Sequence, residues 1–210
     1  MRGHSHLIIG GAIGAVIATH TGAEILGIAA GAFGALTPDI DHPGSMLGRW
    51  FFFWPSIQGP KQRNGFQKNG RRGFAGPIWH RGQLHSLGFV AIVAVISGLL
   101  YALAAGRVDV PSLLMSGLLP LFVVCITAGA LSHLAADCVN KSPMMLFWPI
   151  SHKLILVPIP HAKQDSARGQ MYEIAVVVMV LVLAFYLVGG NLSAFQGPAA
   201  MAPYLLTPAV

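Results

Sequence analysis

The chain is poor in charge. Of its 210 residues only 10% are Asp, Glu, Lys or Arg, and only seven are acidic. Soluble globules carry about a quarter charged residues, so this composition argues against one. Cysteine is scarce too. Cys125 lies inside an apolar run and Cys138 just after it, which gives no C-x-x-C motif and no disulfide framework. No small-residue cleavage site follows the apolar part of "MRGHSHLIIGG", so a removed signal peptide is not expected. Internal repeats and a G-x-S-x-G nucleophile motif are missing as well. What the chain has is hydrophobicity: 54% apolar residues and a mean hydropathy of +0.65. An integral membrane protein of one domain fits that balance.

Uncharged runs place the membrane elements. Residues 86–105, 112–132 and 174–188 are apolar enough for transmembrane helices. At about 1.5 Å per residue, twenty residues span roughly 30 Å, the hydrocarbon thickness. Pro120 should kink the second of these. The run from Leu7 to Leu36 is too long for one span and is interrupted by "THTGAE". Thr21 and Glu24 have capping-box spacing, so residues 6–18 and 22–36 are expected to form a short helical hairpin. Its many Gly and Ala residues would let the two backbones approach closely. Pro38 should turn Thr37 out of helical space and end the hairpin. The expected architecture is thus an all-α polytopic bundle: a short N-terminal hairpin plus three transmembrane helices.

Residues 1–190 read as one membrane-embedded domain, with an aromatic and basic loop at 48–79; the tail at 191–210 contains prolines and has no assigned role. With a hairpin first, twelve of the thirteen Lys and Arg fall on one membrane face and Arg107 alone on the other. The positive-inside rule makes the basic face cytoplasmic. The net charge of +6 therefore marks orientation. No DNA-reading motif is present, and direct nucleic-acid binding is not expected.

The polar residues that a membrane protein can least accommodate gather on that same face. His6 opens the first short helix. Asp39, Asp41 and His42 of "PDIDH" close the second. His80 and His85 of "HRGQLHS" open the third, and His133 and Asp137 of "SHLAAD" close the fourth. Imidazole and carboxylate are ligands for zinc, manganese or iron. His133 and Asp137 are four residues apart, share a helical face and can grip one ion. Of Asp39 and Asp41, one can ligate while the other orients a histidine. So many candidates exceed the needs of one open zinc site, which leaves room for one ion or two.

Plainer roles exist for each. A lone histidine at a membrane edge is often a polar anchor, and a Ser-His-Asp set at a helix end can satisfy backbone groups. Ser86 and Ser132 read as capping or orienting groups. Arg49 and Arg81 can hold an anion or a lipid headgroup. Charged groups at membranes are costly, however, and tend to be functional.

Four motifs, "HLIIG", "LTPDIDHPGSMLG", "HRGQLHS" and "SHLAADCVN…MMLFWP…LILVPIP", occur in the order seen in the YdjM-like family of bacterial inner-membrane proteins. The chain resembles that family from His6 to about Pro160. The family is described as membrane-bound, metal-dependent hydrolases, and its name carries a LexA association. The resemblance implies that His6, Asp39, Asp41, His42, His80, His85, His133 and Asp137 occupy its active-site positions. Leu84 stands where the family usually has Thr, and Cys138-Val139-Asn140 replaces a segment that commonly contains one. The ligand order is also faintly similar to zinc-dependent phospholipase C and related zinc nucleases, which implies phosphoester hydrolysis.

The expectation is a multi-pass inner-membrane hydrolase with its site at the cytoplasmic ends of the helices. Metal-activated water would attack a phospholipid or lipid phosphate. The expected metal ligands are His6, Asp39, Asp41, His85, His133 and Asp137. His80 or His42 would move protons and Arg81 would neutralise phosphate. The cofactor would be zinc, one ion or two, with manganese as the alternative. The partner is membrane lipid. Two rivals are a divalent metal-ion transporter, whose ligands would sit near the midplane, and a scaffold with a closed structural metal site.

Overall fold

The computed structural model describes residues 3–41, 45–48, 82–104, 117–138, 144–153, 155 and 167–189. Regular structure among them is helical, apart from one isolated antiparallel bridge between Met144 and Ile155. The helices are α1 (Gly3–Ala18), α2 (Glu24–Leu36), α3 (Leu87–Ala104), α4 (Leu118–Cys138) and α5 (Ala167–Leu187). A 3-10 turn, Thr37–Asp41, follows α2 directly.

The hairpin forms, but its caps differ from expectation. Thr21 does not cap α2: its hydroxyl donates to the Ala18 carbonyl at 2.6 Å and closes α1. Glu24 is the first residue of α2 and accepts from the Gly22 N–H at 3.3 Å. The tight link is made in left-handed space, with φ of 65° at His20 and 74° at Gly22. At the other end Thr37 keeps φ −62° and ψ −37°. Pro38 therefore does not swing the chain out of helical space. It lacks an N–H for the α ladder, and the chain tightens to 3-10 while the Thr37 hydroxyl donates to Gly34 O at 2.7 Å.

Small residues set the packing. A Cβ added at Gly14 would lie 2.0 Å from the Gly27 carbonyl oxygen, and one at Gly129 would lie 2.1 Å from that of Gly31. The backbones of α1 and α2, and of α2 and α4, therefore touch. Helices α1, α2 and α4 pack against one another, α3 packs on α4, and α5 packs on α1. Ala30, Val93, Cys125 and Ile126 join α2, α3 and α4 in one apolar cluster. Pro120 is the third residue of α4, where an N–H has no helical partner to lose. It starts that helix and does not interrupt it.

The outer faces are apolar. Val95, Ile96, Leu99, Leu100 and Leu103 of α3 are exposed, as are Val178, Met179, Val182 and Phe185 of α5. Contiguous exposed apolar faces of this kind suit lipid. By length and composition α4 and α5 are apolar enough to cross a membrane; α1 and α3 are shorter apolar helices. The all-helical membrane bundle expected from the sequence is the observed class.

The order of the helices brings the starts of α1, α3 and α5 and the ends of α2 and α4 to one end of the bundle. Residues 144–153 pack beneath it. The Leu87 N–H donates to Leu146 O at 2.9 Å and the Gly88 N–H to Trp148 O at 3.1 Å. These bonds satisfy two of the amides a helix start leaves unpaired.

Candidate metal centre

Each polar residue at that end is held by its own local structure. His6 lies in the first turn of α1 and is 1% exposed. Asp39 lies in the 3-10 turn, which is tied down where Ser45 Oγ donates to the Asp39 carbonyl at 2.7 Å. His85 directly precedes Ser86, the N-cap of α3, whose Oγ accepts from the Phe89 N–H at 3.0 Å. His133 and Asp137 occupy the last turns of α4, one turn apart and both buried.

The side chains converge. His85 Nε2 is 3.3 Å from Asp39 Oδ1 and 3.3 Å from His133 Nε2. His133 Nε2 is 3.6 Å from Asp39 Oδ1. His6 Nε2 is 3.4 Å from Asp137 Oδ1, while Asp137 Oδ2 lies 3.7 Å from His85 Nε2 and 3.9 Å from His133 Nε2. The His6 and His133 rings stack with centroids 3.8 Å apart. His85 meets His133 edge to face.

One histidine tautomer follows from these contacts. His133 Nδ1 is 2.7 Å from the Ala35 carbonyl oxygen, which only accepts. Nδ1 therefore carries the proton, and the neutral ring turns the lone pair of Nε2 into the cluster. His6 Nδ1 is buried and has no hydrogen-bond partner among the described residues. Burial opposes ionisation of Asp39, but the His85 hydrogen bond and the facing His133 and His85 imidazoles outweigh it. The Asp39 carboxyl is held well below the usual carboxylate range.

The donor set suits a divalent cation. Ligands on one tetrahedral zinc, bonded at about 2.0–2.1 Å, lie roughly 3.3–3.4 Å apart. The triad of Asp39, His85 and His133 has edges of 3.3, 3.3 and 3.6 Å. The second triad is His6, His133 and Asp137. Four of the five side chains are almost completely buried, and Asp39 keeps a 17% exposed edge. An uncompensated cluster of this depth is costly, and a cation offsets both the carboxylate charges and the facing lone pairs.

Of the twelve polar positions named from the sequence, five meet among the described residues: His6, Asp39, His85, His133 and Asp137. The backbone of Asp41 closes the 3-10 turn, but its side chain lies outside the described residues. His42, His80 and Arg81 also lie outside them, as do Arg49 and the basic loop at 48–79 from that residue onward. Ser132 bonds to its own helix, donating to Gly129 O at 2.7 Å. Two contributors escape sequence reading. The Ala35 carbonyl carries no side-chain signal at all. Glu173 of α5 is buried and accepts a hydrogen bond from Ser5, next to His6. Its signal was its rarity, the one acidic residue in α5.

Fold and site together define a helical membrane protein with a buried His/Asp cluster at one end of the bundle. The model of the family described as YdjM inner membrane protein matches residues 1–193. The chain belongs to the YdjM inner membrane protein family. No curated protein and no solved structure matches it.

Proposed function

We propose that this protein is a metal-dependent hydrolase of phosphoesters carried by membrane lipids. One observation carries the reading: five imidazole and carboxylate groups from four helix ends meet at ligand spacing, sealed except at Asp39. Asp39, His85, His133 and Asp137 would hold the metal, with His6 beside them. A divalent ion bound there supplies Lewis acidity and makes water acidic enough to attack near neutral pH.

The protein's own groups do the rest. His133 presents a lone pair because Ala35 holds its proton on the other nitrogen. Asp39, ionised and at the one exposed edge, is where substrate meets the cluster. His80 and His42 are proposed to carry protons, Arg81 to neutralise phosphate and Asp41 to ligate or to orient a histidine. The excess of Lys and Arg that the order of apolar runs in the sequence assigns to one membrane face supports an anionic substrate and a cytoplasmic orientation. Zinc fits the observed edges, with manganese as the alternative. The family match supports one domain extending through residue 190.

The test is hydrolysis by detergent-purified protein of phosphatidic acid, phospholipids and a chromogenic phosphodiester, with zinc or manganese supplied. Activity is expected in the wild type and absent in Asp137→Ala. Equal activity in a metal-free Asp137→Ala protein would overturn the reading.

A further inference from the structure

The two triads of the cluster share His133, and that residue can serve only one of them. Its Nδ1 is committed to the Ala35 carbonyl, so a single lone pair, on Nε2, faces the cluster. That nitrogen lies 3.3 Å from His85 Nε2 and 3.6 Å from Asp39 Oδ1, nearly the edges of one tetrahedron. Its ring stacks on His6. Stacked imidazoles hold their nitrogens side by side, which leaves His6 Nε2 to face Asp137 Oδ1 at 3.4 Å.

Asp137 faces both groups at once. Its Oδ1 points to His6 and its Oδ2 to His85 and His133. A carboxylate presenting its two oxygens to two separate nitrogen sets is the arrangement of a bridging ligand, and two ions in such a site clamp opposite ends of a displacement.

We propose that the centre holds two metal ions of unequal affinity. The tight position is built by Asp39, His85 and His133, with Asp137 Oδ2 as the looser fourth group. The weak position is built by His6 and Asp137 Oδ1. Three close ligands against two set the order of affinity, and Asp137 joins the positions. This inference rests on reading the cluster as a metal centre but not on the hydrolase assignment.

The experiment is titration of the metal-stripped, full-length protein in detergent with zinc, counted by elemental analysis and competed against a chromogenic chelator. The wild type should bind two equivalents in two separable phases. His6→Ala should bind one equivalent and keep the tight phase, because none of the three close ligands of that position is altered. His85→Ala should lose the tight phase. With manganese, the wild type should give the exchange-coupled spectrum of an ion pair, and His6→Gln the spectrum of an isolated ion. A single equivalent in the wild type that survives His6→Ala would overturn the proposal, as would binding of no metal. Two equivalents without hydrolysis of any phosphoester would uphold the ion pair and remove the hydrolase reading instead.

Discussion

The Nδ1–H of His133 donates to the carbonyl of Ala35 at 2.7 Å, across 98 residues of sequence. One hydrogen bond thus locks the end of α2 to α4 and selects which nitrogen faces the cluster. Replacing His133 with Ala should do two things at once. The tight phase of metal binding should be lost. The Ala35 carbonyl, left buried without its donor, should cost about 1–3 kcal/mol of stability. Elemental analysis and thermal unfolding in detergent check the two effects separately.

Ser86 caps α3 through the Phe89 N–H and directly follows His85. Ser86→Ala should lower stability by about 1 kcal/mol, the usual cost of a lost cap. It should also weaken metal binding by roughly tenfold, the lower end for lost groups that orient a ligand. Chelator competition reads the second effect. An unchanged metal affinity would show that His85 is held without the cap.

Gly129 meets the Gly31 carbonyl so closely that a Cβ would sit 2.1 Å from its oxygen. Gly129→Ala should therefore push α2 and α4 apart and destabilise the protein by about 1–3 kcal/mol. Ala is otherwise the better helix former by roughly 1 kcal/mol, so an unchanged or raised melting temperature would contradict the close approach.

Acidity should weaken metal binding before it touches the stability that Asp39 contributes. The folded-state pKa of Asp39 is depressed, so the stability its ionisation contributes is complete above the unfolded carboxylate value of about 3.9. That contribution is lost only as pH falls further, through the depressed folded value. Ligation also requires neutral imidazoles. Metal content should therefore decline on acidification while Asp39 is still ionised. Equilibrium dialysis at pH steps from 8 to 4, with unfolding followed in parallel, should show metal leaving before the Asp39 contribution to stability changes.

Much of the bundle was legible because membrane helices announce themselves by uncharged length, and the interruption at "THTGAE" marked the hairpin correctly. The errors lay where local chemistry had several solutions. Thr21 and Glu24 have capping-box spacing, yet the left-handed backbone at His20 and Gly22 turns the chain before the cap forms. Pro120 could break a helix or begin one, and only the register of α4, starting at Leu118, decides. The convergence of His6, Asp39, His85, His133 and Asp137 followed from topology, since alternating helix directions bring those ends together. Which atom faces which did not follow. It depends on the Ala35 carbonyl and on the Gly14–Gly27 and Gly31–Gly129 contacts, which set helix separation through atoms that every residue has.

Four members of the cluster are sealed and Asp39 alone keeps an edge to the outside. How strongly an ion is held and how quickly it leaves are then governed by different parts of the molecule. Strength belongs to the ligands on all four helix ends. Escape belongs to residues 37–41, because among the described residues Asp39 is the one member of the cluster with an edge to the outside. A chelator that binds more tightly than the protein would then draw the ion out at a rate that substitutions in residues 37–41 change and substitutions at the sealed ligands do not.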